Sequence, residues 1–165
     1  MIVVSNSSPL IALARIRQLD LLATFYKHTL IPAEVHQEVT VAGRGLPGAE
    51  EVRNAKWIAV ASPKSPADPS LAQVCQSLGA GERGAILLAK SFQADLILLD
   101  EWKARRVARD AGLAVLGCLG ILEAGARKGL IPDLRQTYMD LLRNGIRFDI
   151  KLLQASLARL RLPKL

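Results

Sequence analysis

Residues 94–100 read Ala-Asp-Leu-Ile-Leu-Leu-Asp. This apolar run shows no alternation of polar and apolar side chains. A strand solvated on one face alternates, whereas a strand covered on both faces does not. The run therefore predicts a parallel strand sandwiched between helical layers. Shorter apolar runs recur at 2–5, 29–31, 57–61 and 113–117. Helical patterns separate them. Ser8 as N-cap and Pro9 at the first helical position predict a helix to about Arg15. Further helices are expected at about Gln18–Tyr26, Pro32–Val39, within PGAEEVRNA, and at Ser70–Leu78. Gly79 and Gly81 then break the pattern before a helix over Glu82–Phe92, and Gly79-Ala80-Gly81 permits either an ordinary turn or a tight backbone approach that a ligand pocket could use. The basic stretch WKARRVARDAG is a helix closed by Gly112, and three more follow near 119–128, 133–143 and 149–160. VAGRGLPG and SPKSPADPS carry the glycine and proline of loops. Strands separated by helices imply an α/β fold with a central parallel sheet and right-handed crossovers.

The length of 165 residues fits one domain with a real core. Half the residues are hydrophobic, which excludes a disordered chain. Only 4% are aromatic, so aliphatic side chains build the core and base stacking on aromatic platforms is not expected. Cys75 and Cys118 form no CxxC motif, which fits a reducing cytoplasm. MIVVSNSSPLIALA lacks the basic start of a secretory signal, and no apolar stretch reaches membrane-spanning length. A cytoplasmic protein without membrane attachment is expected. The net charge of +7 suits a polyanionic partner, or simply a soluble basic surface.

Four polar residues recur at related places. Asn6 ends the first apolar run, Glu38 lies in PAEVHQEV, Glu82 opens the helix of GAGERGAILLAK, and Asp100 ends ADLILLD. Open α/β sheets bind ligands outside the carboxyl ends of their strands. If the four converge, they form an oxygen-rich pocket for a hard cation, Mg²⁺ or Mn²⁺. Each also has an ordinary reading. Asp100 suits an N-cap, Glu82 and Glu101 suit the positive end of a helix dipole, and Asn6 suits a turn. Glu34 and Glu38 share one helical face, with Glu38 at the boundary of the apolar stripe. Ser8 is placed to contact a metal, its water or a phosphate.

Together, VVSNSSPLIALARIRQLDLL, IPAEVHQEV, GAGERGAILLAK and ADLILLDEWKARRVARDAGLAVLGCLGIL resemble a PIN domain over about residues 1–130, leaving 131–165 as a helical extension packed on the same domain. The resemblance implies a three-layer α/β/α fold and a Mg²⁺- or Mn²⁺-dependent nuclease site. Many members of the family are ribonuclease toxins of toxin–antitoxin pairs, and many dimerise. It implies catalytic and metal-binding roles for Asn6, Glu38, Glu82 and Asp100, with Glu101 as a further acidic ligand. Asn6 stands where the family usually has its first aspartate. An amide there removes one unit of attraction for a cation.

RNA, an antitoxin protein and a second copy of the chain are the implied partners. Ser8, Lys103, Arg105, Arg106 and Arg109 are placed to hold the nucleic acid, although basic residues on a helix are also an ordinary solvated face. A catalytically impaired module that binds RNA or protein is the alternative. A phospho-acceptor receiver domain fits poorly, because SNSS supplies no acid after the first strand.

Overall fold

A computed structural model describes all 165 residues. Five strands form one parallel sheet: β1 Val3–Ser5, β2 Thr29–Ile31, β3 Ile58–Val60, β4 Leu96–Leu98 and β5 Val115–Leu116. Their order is β3-β2-β1-β4-β5. The first strand is therefore central. The chain winds outward from it to one edge, then returns to its other side and winds to the opposite edge. Between β1 and β4 lies the switch point at which such sheets open a crevice. The register Ser5↔Leu98 sets the two strand ends side by side. The Asn6 backbone N–H extends the ladder by bonding to the Leu98 carbonyl at 3.0 Å.

The missing alternation of residues 94–100 has a direct cause. Leu98 faces one apolar core with Val3 and Ile31. Ile97 and Leu99 face a second core with Val4. Each such side chain gains about 1.5–3 kcal/mol from full burial, whichever face it points to. Ten α-helices cover the sheet. Helices α1 Ser7–Arg15, α2 Asp20–Tyr26, α8 Cys118–Arg127, α9 Leu134–Arg143 and α10 Ile150–Arg159 supply the larger core. Helices α5 Pro69–Cys75, α6 Ala80–Ser91 and α7 Trp102–Asp110 supply the smaller one. The result is a three-layer α/β/α fold. The short helices α3 Ala33–His36 and α4 Ala49–Asn54 complete it.

Local expectations shift in three places. Helix α1 starts at Ser7 with Asn6 as its N-cap, so Ser8 is not the cap and Pro9 is the third helical residue rather than the first. The helix expected to begin at Glu82 starts at Ala80, because Gly79 is its cap and Gly81 sits within the first turn. The helix from Pro32 does not end near Val39. It passes into a π-helical turn over Gln37–Ala42. The Thr40 hydroxyl donates to the His36 carbonyl at 2.8 Å within this turn. No helix is long and apolar enough to cross a membrane.

Candidate metal and nucleic-acid site

Asn6 occupies an N-cap position, yet its side chain makes no cap hydrogen bond. That frees the amide oxygen. Asn6 as a whole is 4% exposed at the end of the central strand. The Ser7 hydroxyl donates to Glu38 Oε2 at 2.7 Å and lies 3.5 Å from Asn6 Oδ1. A Cβ at Gly81 would sit 2.7 Å from Glu38 Oε2, 3.0 Å from Asn6 Oδ1 and 3.4 Å from Ser7 Oγ. Three oxygens from two distant segments thus gather over a bare Cα. Gly84, one turn further along α6, does the same for Glu34, whose Oε2 would lie 2.9 Å from a Cβ there. The two glycines let α3 and the π-turn pack closely on α6. Glu34 and Glu38 share the face turned toward that helix, as their spacing implied.

Glu82 is the third helical residue of α6, and its Oε2 accepts from the Gly79 N–H at 3.1 Å. Burial raises its pKa, the Gly79 N–H works against that rise, and the charges of Glu101 and Glu38 add to it. Lys103 pulls it back down. Glu82 therefore feels acids from both sides. Asn6, Glu38 and Glu82 line one open hollow of about 510 Å³ with Ser8 at its rim.

Asp100 lies in an adjoining hollow of about 460 Å³, which it lines with Glu101, Ile11, Ile146, Phe148 and Leu152. Ser8 belongs to both hollows. Asp100 is not the N-cap of α7. Glu101 is, accepting from the Ala104 N–H at 2.9 Å. Asp100 Oδ1 instead accepts from the Cys118 N–H at 2.7 Å, at the positive start of α8. Burial pushes its carboxyl up to about 6, against the opposing pull of the Cys118 N–H and Arg105. Arg105 donates to the Leu99 carbonyl at 2.8 Å, and burial, then Arg109, hold its pKa down while Asp100 raises it.

The predicted acids and Asn6 thus do not share one hollow but fall in two that meet at Ser8, Asn6–Glu38–Glu82 in one and Asp100–Glu101 in the other. No three His, Cys, Asp or Glu side chains stand close enough to grip an ion together. The donor set is all oxygen and fits a hard cation. Mg²⁺ keeps several waters and commonly takes only one or two carboxylates plus substrate phosphate, so it does not require three convergent acids. Of the basic residues, Arg105 and Arg109 line a third hollow beside Asp100. Lys103 bonds to the Ser77 carbonyl, and exposed Arg106 lies 4.0 Å from Asp110. Arg83 lies within electrostatic reach of Cys75, lowering a thiol pKa that burial raises more.

Sequence reasoning missed Ser7 and the 145–149 segment. Ser7 stood between two residues singled out. Gly81 read both as an ordinary turn and as a bare backbone that a pocket could approach closely, without Glu38 named as what approaches. The wall from Gly145 to Asp149 is a tertiary juxtaposition with no local signal.

The family model DUF3368, described as a PIN domain, matches residues 2–161. No curated protein and no solved structure gave a match.

Proposed function

The chain belongs to the PIN-domain family, and from that membership we propose that it hydrolyses RNA phosphodiester bonds with Mg²⁺ or Mn²⁺ held in the crevice between β1 and β4. The observation that carries this reading is the gathering of Asn6 Oδ1, Ser7 Oγ and Glu38 Oε2 over Gly81. Asn6, Glu38 and Glu82 are the residues that would hold the cation, with Asp100 and Glu101 in the adjoining hollow. When bound, such a cation neutralises charge on the phosphate and makes a coordinated water far more acidic.

The chain's own groups do the rest. The Ser7 hydroxyl fixes one Glu38 oxygen by donating to it. The Cys118 N–H and Arg105 favour the ionised form of Asp100 against its burial. Arg105 and Arg109 attract the phosphate backbone, and Lys103, Arg106 and Ser8 extend that hold. A role as the toxin of a toxin–antitoxin pair, a cytoplasmic location and a homodimer belong to the same proposal.

A second reading has one observation in its favour. With an amide at position 6 and no three convergent acids, the fold can bind RNA or a protein without cutting. The deciding experiment is cleavage of single-stranded RNA with Mn²⁺. Cleavage that stops in chelator and in Asp100→Ala supports the nuclease. Wild-type protein no faster than Asp100→Ala, yet retaining RNA in chelator, puts the binding module in its place.

A further inference from the structure

Trp102 is 68% exposed. It opens α7, two residues past Asp100. Single exposed apolar residues are ordinary. The surroundings of this one are not. It lines a hollow of about 400 Å³ with Asp100, Arg105, Arg109, Glu123 and Arg159. The Arg106 guanidinium lies 5.7 Å from its ring centroid. Arg159 is committed to Glu123 and Arg105 to the Leu99 carbonyl. Arg109 is in no ion pair. An aromatic face bordered by guanidinium groups, one of them unpaired, opens directly onto the acidic crevice.

We infer that Trp102 is a stacking platform for an unpaired base of a single-stranded nucleic acid, with Arg109 holding an adjoining phosphate as the strand runs toward Asp100. Every base has a π-face, so a lone tryptophan stacks on any of them, and arginine adds cation–π attraction and phosphate pairing. A duplex hides those faces. Lys103, Arg105 and Arg106 lie within four residues of Trp102, a cationic setting suited to a phosphate chain. The low aromatic content predicted no such platform. Position outweighs number here, because one ring at the mouth of the crevice suffices. The direction of the strand rests on the nuclease reading, but the binding does not.

The test uses intrinsic fluorescence in chelator, so that cutting plays no part. The chain has two tryptophans, and Trp57 is half-buried, just before the far-edge strand β3. Titration with a short oligoadenylate should quench the Trp57→Phe variant and leave Trp102→Phe unquenched. Affinity should fall about tenfold in Trp102→Ala and largely return in Trp102→Phe. An abasic strand of equal length should bind wild type and Trp102→Ala alike. The salt dependence of binding should be unchanged in Trp102→Ala, but its slope should drop by about 0.7 in Arg109→Ser, one phosphate's share for a single strand. Equal affinity of wild type and Trp102→Ala for oligoadenylate, or quenching that survives in Trp102→Phe, would overturn the platform. Metal-dependent cleavage, assayed separately, would then still stand or fall by itself.

Discussion

An asparagine at a helix N-cap ordinarily spends its side chain on the backbone, and Asn6 does not. Its oxygen lines the hollow it shares with Glu38 and Glu82, but the amide is neutral and attracts a cation less than a carboxylate would. Replacing it by aspartate is therefore expected to tighten Mn²⁺ binding and raise RNA cleavage about tenfold. That is modest beside the ~4 kcal/mol that two unit charges 4 Å apart exchange at an effective dielectric of 20. The same change should lower the stability of the metal-free protein by about 1 kcal/mol, through repulsion from Glu38. Calorimetric titration with Mn²⁺ and thermal melts in chelator check both parts. Asp100 sets a pH dependence. Its folded value of about 6 lies above the ordinary 3.8, so the folded protein keeps a proton that the unfolded chain has released. Stability from this group is present below that ordinary value and is lost as pH rises through about 6. Asp100→Asn keeps the acceptor for the Cys118 N–H and removes the titration. In chelator, its stability relative to wild type should climb by about 2 kcal/mol between pH 4 and pH 7. A constant difference in urea midpoints across that range would exclude burial as the cause.

Helix α6 separates stability from function more cleanly than any strand. Gly81→Ala should gain about 1 kcal/mol of helix propensity. The new methyl displaces the tips of two side chains, Glu38 and Asn6, and no backbone. The expected result is a chain at least as stable as wild type with Mn²⁺-dependent cleavage reduced tenfold or more. A melt and an activity assay on one preparation settle it, and undiminished cleavage would disprove the cradle. These elements also show what a sequence can and cannot disclose. Residues 94–100 announced their strand because burial on both faces leaves a one-dimensional trace. Asn6, Glu38, Glu82 and Asp100 were legible as candidates because strand ends and first helical turns are local features. Their division across Ser8 was not, since it depends on how α6 and the π-turn pack. Nor was the π-turn itself, because Gln37–Ala42 carries no residue that breaks an ordinary helix. Gly81 was legible as a place for close approach or an ordinary turn, but not that Glu38 is what approaches it.

At the scale of the molecule, the last two helices are part of the core. Tyr138, Leu141, Leu153 and Leu157 are fully buried in the same cluster as Leu13 and Leu98. The Tyr138 hydroxyl meets the Ser156 hydroxyl at 2.5 Å, and Ser156 donates to Glu123 at 2.6 Å. Leu157→Ala is expected to cost about 2–5 kcal/mol in a single cooperative unfolding transition. A separate early transition in a denaturant melt would show that residues 131–165 fold apart from the rest. The sheet order has a last consequence, for the chain during its own synthesis. Its first strand is also its central one, and the crevice exists only where that strand meets β4. Domains form as their segments leave the ribosome, N-terminal parts first. While residues 96–98 are still unmade, the nascent chain carries Asn6, Glu38 and Glu82 but neither β4 nor Asp100. The proposed nuclease is thereby kept harmless to the message it is being read from. Ribosome-bound chains stalled before β4 should leave their transcript intact, whereas released full-length protein with Mn²⁺ should not.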